Sequence, residues 1–212
     1  MSVYLPLFPL NLTVFPGEML KLYIFEPRYK QLVNECLEAE ETFGIPAVVE
    51  QELAGFITEV EVVCLDKVFP DGEMNITTKG KRRARLLNFD QKVDGKLYPG
   101  GQIEWLPEHE GVDIVLQSEV FDLMQELHDA LGIQKEVVNS PQDVESFLIA
   151  QHIGLNLKQK IHLLSIDSEV NRMDFIKTHL DEIIPIVRET ERLKSKARLN
   201  GHYKNMIPPD IT

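Results

Sequence analysis

The chain has 212 residues, with 22 Lys and Arg against 34 Asp and Glu, for a formal net charge of −12. Residues 1–111 carry 11 basic and 18 acidic side chains (net −7) and the remainder 11 and 16 (net −5), so the acidity is spread along the chain and opposes general binding of a phosphate backbone. A 43% hydrophobic and 26% charged composition is ordinary for a globular protein, and a chain of this length buries roughly 70% of its unfolded surface without a disulfide or metal staple.

The first thirty residues are the most informative. Two apolar runs between Leu5 and Val33 are punctuated by Pro6, Pro9, Pro16, Gly17 and Pro27. Proline fixes φ and removes a donor, so the segment reads as strand, turn, strand and then a helix opening at Glu26-Pro27-Arg28. Tyr29, Leu32, Val33, Cys36 and Leu37 continue it at helical spacing. Further strands are predicted over Tyr4–Phe8, Met19–Phe25, Phe43–Val49, Ile57–Phe69, Met74–Lys79, Ala84–Lys92 and Gly101–Leu106. Asp71-Gly72 and Asp94-Gly95 supply the positive-φ positions of hairpins. Short strands with turn signals and one inserted helix imply a small, mostly antiparallel barrel or sandwich.

After Gly111 the period changes. Leu116, Val120, Leu123, Leu127 and Leu131 predict a helix stopped by Gly132. Ser140-Pro141 opens another, with Val144, Phe147, Leu148 and Gln151 on its face. Asn156 caps Leu157–Leu164, and Asp167 or Ser168 starts a long last helix that Pro185 is expected to kink or break. A frayed tail is expected over 201–212.

No apolar run approaches the roughly 20 residues that span a bilayer, and the proline-broken start lacks the basic region of a signal peptide. Cys36 and Cys64 fit no metal or redox spacing and are expected to be buried free thiols, which suits a reducing cytoplasm. Without a secretory signal, the sequons at Asn11 and Asn75 are chance matches.

Three blocks carry a family resemblance. "LPLFPL…VFPGE…FEPRY" at the start, "GKRRARLLNF…YPGGQIEWLPE" from Gly80 to Glu108, and the stretch from Ile149 to Glu191 together resemble the N-terminal substrate-binding domain of Lon proteases, which also occurs in stand-alone bacterial proteins and within cereblon. In the last block Lys158-Gln159, Leu163-Leu164, Asp167, Arg172, Leu180 and Glu189 fall near the family pattern, whereas Ser165 and Pro185 depart from it. The resemblance implies an α+β protein: a PUA-like β pseudobarrel with one inserted helix over 1–112, then a C-terminal helical bundle subdomain over 113–200. It implies a module that binds unfolded polypeptide or a partner protein, as an adaptor or regulator of proteolysis.

No catalytic, cofactor-binding or metal residue is predicted. Arg82 stands where a phosphate-binding loop needs a hydroxyl, no Gly-x-Ser-x-Gly occurs, and the six histidines, from His109 to His202, form no His-Glu-x-x-His. Candidate polypeptide contacts are Phe8, Phe15, Phe56, Phe69 and Met74, at loops or strand ends, with Phe15 and Phe69 the foremost for exposure because each precedes a turn proline. The alternative is RNA binding through Lys79, Lys81, Arg82, Arg83 and Arg85, against a reading of that strand as a solvated face beside acidic neighbours. Glu26 is expected to cap its helix, Arg28 to make an ion pair across the helix–barrel junction, and Arg83 or Arg85 to pair with Glu26 there.

Overall fold

The computed structural model describes residues 2–107, 111, 113–134 and 137–203, with side chains as far as residue 197. His109, the boundary at Val112, the tail beyond residue 203 and the side chain of His202 lie outside the described residues. The strands are β1 (Ser2–Pro6), β2 (Met19–Ile24), β3 (Phe43–Val49), β4 (Glu52–Val68), β5 (Met74–Asp90) and β6 (Gly100–Trp105). The helices are α1 (Pro27–Ala39), α2 (Ile114–Leu131), α3 (Ser146–Ala150), α4 (Leu157–Ser165) and α5 (Glu169–Tyr203), with one 3-10 turn at Pro141–Asp143.

The strands form one antiparallel sheet in the order β1-β6-β5-β4-β3, and β2 pairs with β5 beside this path. β5 is long enough to hold β2 along its first half and β6 along its second. Between β3 and the chain after β1 there are only two isolated parallel bridges, Leu7↔Gly44 and Leu10↔Ala47.

Several elements differ from the sequence prediction. β5 is a single strand where two were expected, because Gly80 is a point of close approach and not a turn. A Cβ there would lie 2.1 Å from the Phe15 carbonyl oxygen. Lys81 and Arg82 stand against the single Glu59, one extra residue absorbed as a bulge between the pairs Val60↔Gly80 and Thr58↔Arg83. β3 and β4 meet in a two-residue hairpin at Glu50-Gln51, where φ is 52° and 72°. That turn lacks the usual Gly or Asn, so no local signal marked it. Asp94-Gly95 sits inside the longer loop from β5 to β6, while Gly72 does turn β4 into β5 with φ 77°.

Contacts divide the chain into two compact units. The first combines residues 1–111 with 145–172, and the second combines 112–144 with 173–212. The helices α3 and α4, grouped by periodicity with the other helices, thus pack with the sheet. In the first unit α1 buries Tyr29, Leu32, Val33 and Cys36, as its spacing predicted, while Leu37, expected on the same face, is exposed. Tyr29 stacks on Phe8 at 3.8 Å between ring centres. Ile24, Phe43, Ile45, Val60 and Ile76 complete that core, and Leu7, Ile57, Ala84 and Ile103 form a second cluster.

In the second unit Asp113 caps α2 by accepting from the N–H groups of Val115 and Leu116, and Gly132 ends the helix in the left-handed conformation. Its buried stripe is Val120, Met124, Leu127 and His128, so Leu131 stays exposed. The helix expected from Ser140 to Gln151 is instead the 3-10 turn and the short α3, and Ser140 donates its hydroxyl to Asp143 without capping a backbone N–H. Asn156 and Gln159 make a reciprocal capping box at α4. α5 runs straight on in sequence through Pro185, whose exposed position gives the carbonyl freed at Asp181 access to water.

Candidate functional site

The sequence-predicted contact residues separate by burial. Phe8, Phe15 and Met74 lie in the core. The expectation that Phe15 is an exposed contact is therefore corrected: its ring packs 5.4 Å from Phe147 of α3, beneath the loop that approaches Gly80. A proline-punctuated loop folded back onto the sheet buries its aromatic residue. Phe56 and Phe69 are half-buried at the surface.

Phe69 belongs to an aromatic surface that the strand prediction did not assemble. On β2 the side chains alternate, so Leu22 and Ile24 turn toward the core while Met19 and Tyr23 turn out. Tyr23 (52% exposed) lies 5.9 Å from Phe25 (55% exposed) and 6.0 Å edge-on from Phe69. Its hydroxyl donates to Glu73, and the Lys67 ammonium sits 4.4 Å above the Phe69 ring. Val63, Leu65 and Val68 on β4 are exposed as well, with Leu65 and Val68 opposite Ile76 and Met74 of β5. Alternating polarity in β2 was the available signal; the neighbour from the β4–β5 turn was not legible locally.

The free backbone lies at the same end. Among the described residues β2 pairs only with β5, and β3 covers β4 only as far as Val60. The bond from Gly80 N–H to the Glu18 carbonyl sets the parity of the β2–β5 ladder, so the backbone groups of Lys21 and Tyr23 point away from β5. Exposed aromatic rings beside unused strand donors and acceptors suit an extended peptide.

The basic cluster is not a continuous patch. Lys81 pairs with Glu61 at 3.0 Å, and Arg82 pairs with Glu59 at 2.8 Å while its guanidinium lies 3.9 Å from the Trp105 ring centre. Arg85 faces the Phe56 ring at 5.7 Å. Arg83 is fully buried and donates to the carbonyls of Leu164 and Ile166 at 2.8 Å and of Pro107 at 3.3 Å. A cation there serves the carbonyl end of α4. The expected pairing of Glu26 with Arg83 or Arg85 is thereby corrected. Glu26 accepts from Arg28 two residues away, leaving Arg28 on an exposed local pair over Tyr29, and its side chain makes no cap bond. Helix entry after a proline holds Glu26 and Arg28 on the same turn, which is nearer than β5.

Arg172 also lies over Phe147, at 4.7 Å from the ring centre, with Arg83 at 5.4 Å. It donates to Ser146 Oγ, Glu169 and the carbonyls of Ile166 and Asp167. Glu169 also accepts from the Ser146 N–H and hydroxyl. Arg83, Phe147 and Arg172 are therefore structural parts of the first unit. Cys36 is buried, and burial pushes its thiol up to about 12, whereas Cys64 is exposed, contrary to expectation. β4 projects beyond its partner β3 at that point.

A cleft of about 540 Å3 is lined by Tyr4, Glu35, Glu38, Glu41, Lys96 and Tyr98 among others. Glu35 accepts from Lys96 Nζ at 2.7 Å, from Tyr98 and from Gln31. These donors, Lys96 first, hold the Glu35 carboxyl below its usual range, and burial together with Glu35 pushes Tyr98 up to about 12. Both shifts lead away from neutrality, the reverse of a general acid or base tuned to operate there. No group of three or more His, Cys, Asp or Glu among the described residues is arranged to hold a metal ion, and no described helix is long and apolar enough to cross a membrane.

A family profile described as the ATP-dependent protease La (LON) substrate-binding domain matches residues 4–182. Lon proteases of Brucella suis and Brucella melitensis are each 23% identical over 137 residues, covering 61% of this chain and 17% of their own length, so the chain spans about a sixth of these curated relatives. A Lon N-terminal domain protein from Xanthomonas campestris is similar in structure, with a TM-score of 0.60 and 26% identity over 81% of this chain and 95% of that one. The N-terminal domain of the Mycobacterium avium complex Lon protease shares the fold, with a TM-score of 0.67 and 15% identity over 84% and 98%.

Proposed function

The chain belongs to the LON substrate-binding domain family, and we propose that it is a non-catalytic module that binds unfolded polypeptide or a partner protein, acting in the cytoplasm as an adaptor or regulator of proteolysis. The observation that carries this reading is the exposed Tyr23–Phe25–Phe69 surface beside the unpaired edge of β2. Rings of this size supply apolar contact to many sequences, and strand donors and acceptors recognise main chain whatever its side chains. Phe69 and Phe56 are the sequence-predicted contacts that remain available. The two bridges between β3 and the chain after β1 support a PUA-like pseudobarrel as the scaffold.

The test is binding of the purified protein to a permanently unfolded model polypeptide, its native counterpart and an RNA of similar size, at low and moderate salt. Selective binding to the unfolded form with little salt dependence, weakened by Tyr23→Ser and Phe69→Ser, supports the reading. Binding only to RNA, collapsing with salt, refutes it.

A further inference from the structure

The edge of β4 beyond Val60 has its own pattern. Residues 63–68 are all exposed and include Val63, Leu65 and Val68, although this stretch is a strand hydrogen-bonded on one side to β5. Long apolar edges invite pairing with another strand, and proteins usually guard them with bulges or charges. Here two bulges do occur, at Val63 and at Asp66, where β4 has one residue more than β5. They reset the alternation so that Glu61, Cys64 and Lys67 lie opposite Lys79, Thr77 and Asn75, which are alternate residues of β5. Glu61, Cys64 and Lys67 therefore share the outer face at a spacing of three.

We propose that this edge pairs antiparallel with the same edge of a second copy of the chain, about a two-fold axis through Cys64. In that register Glu61 of each copy faces Lys67 of the other, Cys64 faces Cys64, and the pair Val62-Val63 faces Leu65-Asp66. The register is isologous, as two-fold association requires. Charge complementarity selects it: a shift of one or two residues separates both Glu–Lys pairs. The bulges select the partner. An ordinary straight strand does not follow an edge kinked twice, whereas a second copy carries the same two bulges at mirrored positions.

Pairing continues the sheet from β2, β5 and β4 of one copy into β4, β5 and β2 of the other and sets the two Tyr23–Phe25–Phe69 surfaces on one extended sheet. A single edge falls below the roughly 1,000 Å2 of a stable interface, so the association is weak and concentration-dependent.

Directly opposed strand residues have Cα atoms about 4.5–5.5 Å apart, within the range a disulfide spans. The experiment is oxidation of the protein at about 100 μM, a concentration matched to a weak interface, with copper–phenanthroline. Two Cu(II) ions take up one electron each as two Cys64 thiols lose their protons and form one S–S bond. The reference is a Cys64→Ser protein carrying Leu97→Cys, another exposed position, away from this edge. Wild type is expected to cross-link about tenfold faster than the reference, and Glu61→Lys or Lys67→Glu alone to slow it about tenfold by opposing like charges. The double reversal restores the rate. Two single variants guard against one perturbing its own fold, since Glu61 also pairs with Lys81. A wild-type rate no higher than the reference, or a double reversal as slow as the singles, overturns the proposal.

Discussion

Replacing Arg83 by Ala is expected to cost more than any other single change in the basic cluster. The guanidinium is fully buried and makes three carbonyl contacts that join β5 to the end of α4 and to the chain after β6. Hydrogen bonds from a charged donor contribute about 1.5–3 kcal/mol each, but their losses do not add, because water reaches some of the vacated carbonyls. Breaking a buried polar network of this kind costs about 3–5 kcal/mol. With a urea slope near 2 kcal/mol/M, the midpoint moves down by about 1.5–2.5 M. Arg83→Lys keeps the charge but loses the fork, and falls between. Arg85→Ala, two residues away and exposed, is expected to cost about 0.5 kcal/mol or less. The single Trp105, paired with Ala84 in the ladder, reports on this unit by fluorescence. Hydrogen exchange should rise first in residues 145–172. An Arg83→Ala loss below about 1 kcal/mol, or one equal to that of Arg85→Ala, would refute the assignment of Arg83 as the tie between sheet and α4.

Phe15→Ala should lower stability by about 3–5 kcal/mol, whereas Tyr23→Ser and Phe69→Ser should each cost about 1 kcal/mol or less while weakening polypeptide binding; denaturation and binding measured on the same variants separate the roles. Gly80→Ala places a Cβ against the Phe15 carbonyl and is expected to reduce folded yield and melting temperature markedly more than Gly55→Ala, where the space is open. The Glu35 carboxyl titrates below its ordinary range, so its stabilisation is complete at neutral pH and is lost as pH falls below about 4. Tyr98 is raised to about 12, so its contribution is present below about 10 and is lost as pH rises through about 12. Glu35→Gln and Tyr98→Phe should flatten those two limbs of a stability–pH curve respectively. A thiol reagent should modify Cys64 alone in the native protein, since Cys36 is buried and held as the thiol.

Much of the architecture was readable from local chemistry. Pro27 at a first helical turn, the 29-32-33-36 spacing, Gly72 and Gly132 at positive φ, and Asn156 with Gln159 each act within one turn of chain, and each element formed where its residues call for it. The three blocks between Leu5 and Glu191 carried the family. What local chemistry left open is the meaning of residues whose partners are distant. Gly80 reads as a break until the Phe15 carbonyl arrives beside it, and Arg83 reads as surface charge until the carbonyls of Leu164 and Ile166 surround it. Glu50-Gln51 turns left-handed without Gly or Asn because the strands on both sides hold it.

The sequence by itself determined most of the elements, the core face of α1 and the acidity, because these follow from periodicity, capping and composition along a few neighbouring residues, while the family was carried by the resemblance of three motif blocks. Only the tertiary structure decided that Phe15 is core and Tyr23 is surface, that residues 145–172 pack with the sheet, and that the β4 edge stands free. Burial and pairing depend on which segments meet, and segments far apart in the chain meet only when the whole sheet is assembled.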